Sequence, residues 1–157
     1  MKLEDLKNDI VIFDVDGVLG KFDFGELGFK ILEKEEWLKF NMECDAYAYV
    51  QKTSFFDEFI KKHPYVMALS VACCSFEQDN KVRFILKNYP TIQREDIMFV
   101  SEDCLKVEVL KQLRINLDKA GLHNKRLVLI EDTSRIMGSV EKLKNEKIKC
   151  FLLSDFL

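Results

Sequence analysis

The chain has 157 residues, 48% hydrophobic and 32% charged, with a formal net charge of −3. These values fit one globular domain with one sizeable core and exclude a disordered chain. They give no overall basic footprint for nucleic acid, no run of eighteen apolar residues that would span a membrane, and no signal-peptide pattern in the charged stretch Met1–Asp9, so a soluble cytoplasmic protein is expected.

The first element is the apolar run Ile10–Phe13, of strand length and composition, which leads straight into Asp14-Val15-Asp16-Gly17-Val18-Leu19. A buried strand ending this way sets two carboxylates at the carboxyl edge of a sheet, where open α/β folds place their chemistry. Carboxylates that close repel unless a cation or a shared proton lies between them. A hard divalent ion such as Mg²⁺ would relieve the repulsion and also hold a phosphate. A strand that ends in an acidic turn is also an ordinary structural feature.

Residues Lys21 to His63 contain no obvious strand and are too long for a simple crossover helix. They read as a small, mostly helical insertion. Ten of the eighteen aromatic residues fall in it, from Phe22, Phe24 and Phe29 through Trp37, Phe40, Tyr47 and Tyr49 to Phe55, Phe56 and Phe59. Such a set packs a mini-core that docks the insertion, or lines a substrate pocket or a contact with a second copy of the chain.

Tyr65–Leu69 is the second strand run, followed by Ser70, whose hydroxyl is able to donate to a phosphate oxygen and is equally at home in a turn. A helical pattern from Phe76 to Tyr89 ends at Tyr89-Pro90. After the third strand, Ile97–Val100, Lys106 stands near the start of a helix that runs from Leu105 to Ala120 and stops at Gly121. A lysine there opposes the helix dipole unless an anion binds beside it. Lys111 and Lys125 are alternatives for the same role. The fourth strand, Leu127–Ile130, delivers Glu131 and Asp132. A helix over Ser134–Glu146 and a fifth strand, Ile148–Leu153, complete the chain.

Strands alternating with helices predict a Rossmann-like parallel five-stranded sheet covered on both faces, with the short helical insertion after the first strand. If the first and fourth strands are neighbours, Glu131 and Asp132 approach Asp14 and Asp16. Four carboxylates with no histidine or cysteine among them form a hard-cation site, and Mg²⁺ is its natural occupant. Asp132 before Thr133-Ser134 also has the makings of a helix cap, although capping accounts for one acid and not for four. Five cysteines (Cys44, Cys73, Cys74, Cys104 and Cys150) form no C-x-x-C pair, and His63 and His123 lack zinc-ligand spacing.

Asp14-Val15-Asp16-Gly17-Val18-Leu19, Ser70 after a strand, Lys106 before a helix and Glu131-Asp132 after another strand stand in the order of four motifs. In this the chain resembles the haloacid dehalogenase (HAD) superfamily of phosphotransferases, over nearly its whole length apart from Lys21 to His63. The resemblance implies that Asp14 is a nucleophile forming an aspartyl-phosphate and that Asp16 is the general acid and base. It implies Mg²⁺ held by Asp14, the Asp16 backbone carbonyl and Asp132, with Glu131 on a metal-bound water. It implies further that Ser70, Lys106 and the backbone N–H groups of the Asp16-Gly17 turn grip the phosphoryl group.

The second aspartate favours phosphate-ester hydrolysis over carbon–halogen cleavage, and the Glu-Asp fourth motif is a known variant of Asp-Asp. The insertion corresponds to the family's cap, here short. The stretch from Ser70 through Lys81 and Phe84 to Tyr89-Pro90 loosely resembles small nucleotidase-type members. A phosphorylated small molecule such as a nucleotide or sugar phosphate is the expected substrate, with phosphoproteins and nucleic-acid ends also open. A binding or regulatory module on the same fold, and transfer to an acceptor other than water, are the alternatives.

Overall fold

The structure is a computed structural model, and it describes residues 1–21 and 33–157. Five parallel strands form the main sheet: β1 (Ile10–Phe13), β4 (Val66–Val71), β5 (Ile97–Val100), β6 (Leu127–Glu131) and β7 (Ile148–Leu152). A separate two-residue antiparallel ribbon pairs β2 (Gly20–Lys21) with β3 (Gln51–Lys52). The helices are α1 (Lys34–Glu43), α2 (Asp57–Lys62), α3 (Ser75–Asn88), α4 (Lys106–Lys119) and α5 (Ser134–Glu141).

The strand order is β5-β4-β1-β6-β7. The chain winds outward from β1 on one side and then returns to add β6 and β7 on the other. The strand order therefore reverses at β1, which creates a crevice at the carboxyl ends of β1 and β6. The register sets Phe13 opposite Ile130, so the next residues along each strand, Asp14 and Glu131, come out side by side.

Alternation along the buried strands explains the two-sided covering. Val11 and Phe13 of β1 and Val128 and Ile130 of β6 join one apolar cluster, to which α2 contributes Ile60 and α3 contributes Phe84 and Ile85. Ile10, Ile12, Leu127 and Leu129 face the other way, with Leu110 of α4 and Ile136 and Val140 of α5. A strand buried on both faces reads as a continuous apolar run, which is why β1 and β6 stand out in the sequence. No helix among the described residues is long and apolar enough to cross a membrane.

The segment read as an insertion departs from expectation in two ways. It contains a strand, β3, which clips the loop after β1 through the β2 pairing, and Thr53 N–H adds a 2.8 Å bond to the Leu19 carbonyl. Its carboxyl part also belongs to the main fold. Phe56 and Ile60 are fully buried, and the Phe56 ring meets Phe13 edge-on at 4.9 Å, so α2 is the crossover helix between β1 and β4. Ala46, Tyr47 and Val50 are buried in that same cluster, and Trp37, Phe40 and Phe59 pack against it. Tyr49 and Phe55 are exposed. Phe22, Phe24 and Phe29 lie outside the described residues. The helix read over Ser134–Glu146 ends at Glu141, where i→i+3 backbone bonds tighten the chain before Lys144 turns to a positive φ of 49°.

Phe56→Ala removes a buried ring that joins α2 to the central strand. It is expected to lower stability by about 3–5 kcal/mol, read as a drop in the urea midpoint with an unchanged slope.

Candidate active site

Every motif residue singled out in the sequence reaches the carboxyl edge of the sheet. Asp14 follows β1 directly, Ser70 is the penultimate residue of β4, Lys106 opens α4 after a short 3₁₀ turn at Asp103–Leu105, and Glu131 is the last residue of β6. Asp14, Ser70, Lys106 and Glu131 are all buried, unusual for polar groups unless they are paired.

Lys106 forms the centre of the pairing. Its Nζ lies 3.0 Å from Asp14 Oδ1 and 2.8 Å from Glu131 Oε2. Burial pulls its pKa down, but the charges of Asp14 and Glu131 outweigh that and hold it above the usual lysine value. Of the three lysines left open by the sequence, Lys106 is the one that reaches these acids. Lys111 is half-exposed beside Glu108, and Lys125 donates to the Asn8 carbonyl and lies over the Tyr65 ring at the opposite edge of the sheet.

One ammonium does not balance the acids around it. Asp14, Glu131 and Asp132 each offer a carboxylate oxygen within 4.8 Å of the others. Burial raises the pKa of Asp14, with Asp16 adding to the rise and Lys106 opposing it. Burial and the Asp14 charge push Glu131 up to about 8 against the pull of Lys106. Fully ionised, three carboxylates against one lysine leave two negative charges unmatched, and an all-oxygen donor set suits a hard divalent cation that would take the place of the proton on Glu131. The residues fit Mg²⁺. Asp132 does not act as a helix cap: Thr133 holds the N-cap position of α5, no side chain caps that end, and Thr133 Oγ1 instead donates to Asp132 Oδ1 at 3.1 Å.

The fourth carboxylate is not part of this group, contrary to the expected convergence of four. Asp16 Oδ2 accepts from Lys81 Nζ at 2.8 Å, and Asp16 Oδ1 accepts from the Tyr47 hydroxyl at 2.8 Å. The same Lys81 Nζ donates to Ser70 Oγ at 2.8 Å. The sequence singles out Lys81 only within the nucleotidase-like stretch and Tyr47 only among the aromatics of the insertion, and gives neither a partner at the site. For Lys81 a signal existed: Glu77, Asn80 and Lys81 occupy the face of α3 that carries Phe84 and Ile85, and polar residues on an apolar face require partners. Tyr47 lies in an irregular stretch with no period to read.

Gly17 plays a different part from the one expected. Its N–H is already bonded to the Gly20 carbonyl at 2.9 Å and is not available to a phosphate. The N–H groups of Val15 and Asp16 make no bond among the described residues, so they are the donors this turn has to offer. Gly17 provides room instead. Its φ is +81°, and a Cβ there would come within 2.2 Å of Asp132 Oδ2.

No family model matches the chain, and no curated protein matches it.

Two predictions follow from this geometry. Gly17→Ala forces Asp132 away from Asp14 and Glu131, so the rise in melting temperature produced by Mg²⁺ in the wild type should be largely lost. In chelator, the proton that Glu131 holds in the fold stabilises it fully below pH 4.5, and that contribution fades as pH rises through about 8. The melting temperature of the cation-free protein should accordingly fall across that interval, and Glu131→Gln should flatten the slope.

Proposed function

We propose that the protein is a Mg²⁺-dependent phosphomonoester hydrolase of the HAD type, acting through an aspartyl-phosphate on Asp14. The observation that carries this reading is the buried Asp14–Lys106–Glu131 cluster, with Asp132 beside it, at the switch point of a parallel sheet. A merely structural polar cluster would be expected to balance its own charge. This one has three acids against a single lysine and is balanced only by retaining a proton or by gaining a cation.

The roles follow from the partners each group already has. Lys106 engages Asp14 Oδ1 and orients the carboxylate, while Oδ2 carries no bond among the described residues and is the oxygen available to attack phosphorus. As the Asp14–phosphorus bond forms, the bond to the leaving oxygen breaks, and Asp16, entering the step in its protonated form, gives that oxygen its proton. Asp16 then takes a proton from the water that attacks the aspartyl-phosphate, which releases inorganic phosphate and restores Asp14. Ser70 and the free N–H groups of Val15 and Asp16 donate to the phosphoryl oxygens. Asp14, Asp132 and the Asp16 carbonyl would hold Mg²⁺, with Glu131 beside it, and the ion neutralises charge on the transferring group when bound. Positioning and charge balance are most of what phosphoryl transfer requires.

The substrate class is a phosphorylated small molecule. The test is hydrolysis of 4-nitrophenyl phosphate by the wild type and Asp14→Asn, each with Mg²⁺ and with EDTA. Wild-type turnover should require the cation and fall on the order of 10³-fold or more in Asp14→Asn. Equal rates in the two proteins, or indifference to EDTA, would overturn the reading. Alcohols added to the assay identify an acceptor other than water by a new phosphate ester.

A further inference from the structure

Two lysines are buried at this edge of the sheet, and they serve different groups. Lys106 belongs to Asp14 and Glu131. Lys81, on α3, is 1% exposed, and its ion pairs among the described residues are with Asp16 and Glu77 instead. Its Nζ donates to Asp16 Oδ2 and Ser70 Oγ, each at 2.8 Å, and to the Val71 carbonyl. An ammonium has three protons, and here all three are used. Lys81 therefore has none left for a phosphate, and its function has to be exerted through the groups it holds.

Those groups are the two that must be aimed most accurately. Asp16 is held from both sides, by Lys81 at Oδ2 and by the Tyr47 hydroxyl at Oδ1. A phenolic hydroxyl carries one proton, and here it points at Asp16 Oδ1. Each carboxylate oxygen has a second lone pair, and the Asp16 side chain stays 41% exposed against 7% for Asp14. The carboxylate is thus fixed from behind and open in front. Ser70 Oγ accepts from Lys81, which leaves the hydroxyl proton free for another acceptor.

Both supports are braced in turn. Glu77 Oε2 lies 3.5 Å from Lys81 Nζ, and Glu77 Oε1 accepts from the Trp37 indole of α1 and from Cys73 N–H. Tyr47 is 2% exposed, with its ring packed between Trp37 and Phe84. A buried lysine is costly to maintain where an apolar side chain would pack as well. Its presence here calls for a function beyond filling space.

We propose that Lys81 and Tyr47 are positioning residues that hold the Asp16 carboxylate and, through Lys81, the Ser70 hydroxyl for phosphoryl transfer; this rests on the phosphohydrolase reading above. Help from Asp16 matters when the leaving oxygen is basic and needs a proton, and matters little when the leaving group departs readily as an anion. A displaced Asp16 therefore has a signature that general loosening of the fold does not share.

The experiment compares phenol release from phenyl phosphate with dinitrophenolate release from 2,4-dinitrophenyl phosphate in a single turnover, with enzyme in excess so that only transfer to Asp14 is read, in the wild type, Tyr47→Phe, Lys81→Met and Asp14→Asn, all with Mg²⁺. Tyr47→Phe should lower the single-turnover rate on phenyl phosphate by roughly 10- to 100-fold with little change in the half-saturating concentration, and leave the single-turnover release of dinitrophenolate nearly unchanged. Lys81→Met should show the same split and also raise the half-saturating concentration and the inhibition constant of inorganic phosphate, because Ser70 loses its support. Thermal melting checks both folds, and Tyr47→Phe alone decides if Lys81→Met does not melt cooperatively. Equal losses on both substrates, or no loss on phenyl phosphate, would overturn this inference and leave the phosphohydrolase reading standing. No Asp14-dependent turnover of either substrate by the wild type would overturn both.

Discussion

The bond network of Lys106 is the constraint on which the carboxyl edge of the sheet depends. It joins the residue after β1 to the last residue of β6, the two strands whose junction is the switch point. Without a cation between them, Asp14 and Glu131 would bring two buried negative charges to adjacent strand ends, and their repulsion in a low-dielectric site would oppose the pairing that the apolar strands favour. Lys106 makes the pairing compatible with those acids. It does so incompletely, and the remaining negative charge is what makes the edge a candidate cation site.

Around that centre the polar groups divide into two sets that share few partners. One is Asp14, Glu131 and Asp132 with Lys106, on β1 and β6. The other is Asp16 and Ser70 with Lys81 and Tyr47, joined to α3 and to the stretch before β3. The division has a physical basis. A nucleophile in a cation site and a proton-transferring acid make opposite demands, one for charge to be neutralised and the other for a proton to be exchanged. Separate lysines allow each carboxylate its own environment although only one residue lies between them.

Much of this arrangement was legible in the sequence, and the reasons are local. Ile10–Phe13 and Leu127–Ile130 are apolar throughout because both faces of their strands are covered, and the acids follow immediately because the strands end there. The alternating order of strands and helices led to the parallel sheet. The lysine choice was open in the sequence because Lys106, Lys111 and Lys125 differ only in which side of the fold each reaches, and topology decides that. The partition of the acids was not legible either. Asp16 is two residues from Asp14 in a tight turn, and only the turn's geometry, with Gly17 at positive φ and Gly20 bonded back to Val15, sends its side chain toward α3.

The segment after β1 shows why an insertion is difficult to delimit from sequence alone. Its aromatic residues suggested a separate mini-core, yet Tyr47 and Phe56 are buried in the same cluster as Phe13. The Tyr89 hydroxyl donates to the carbonyls of Leu19 and Thr53, tying α3's end, the loop after β1 and the stretch after β3 to one another. The described part of the segment is therefore a fixed wall of the site, with no independent core to let it move as a body. A wall that supplies a hydroxyl to Asp16 couples the packing of that segment to the geometry of proton transfer. Substitutions that loosen Ala46, Tyr47 or Val50 in the core would then reach the acid through the Tyr47 hydroxyl, without touching the nucleophile or the cation site.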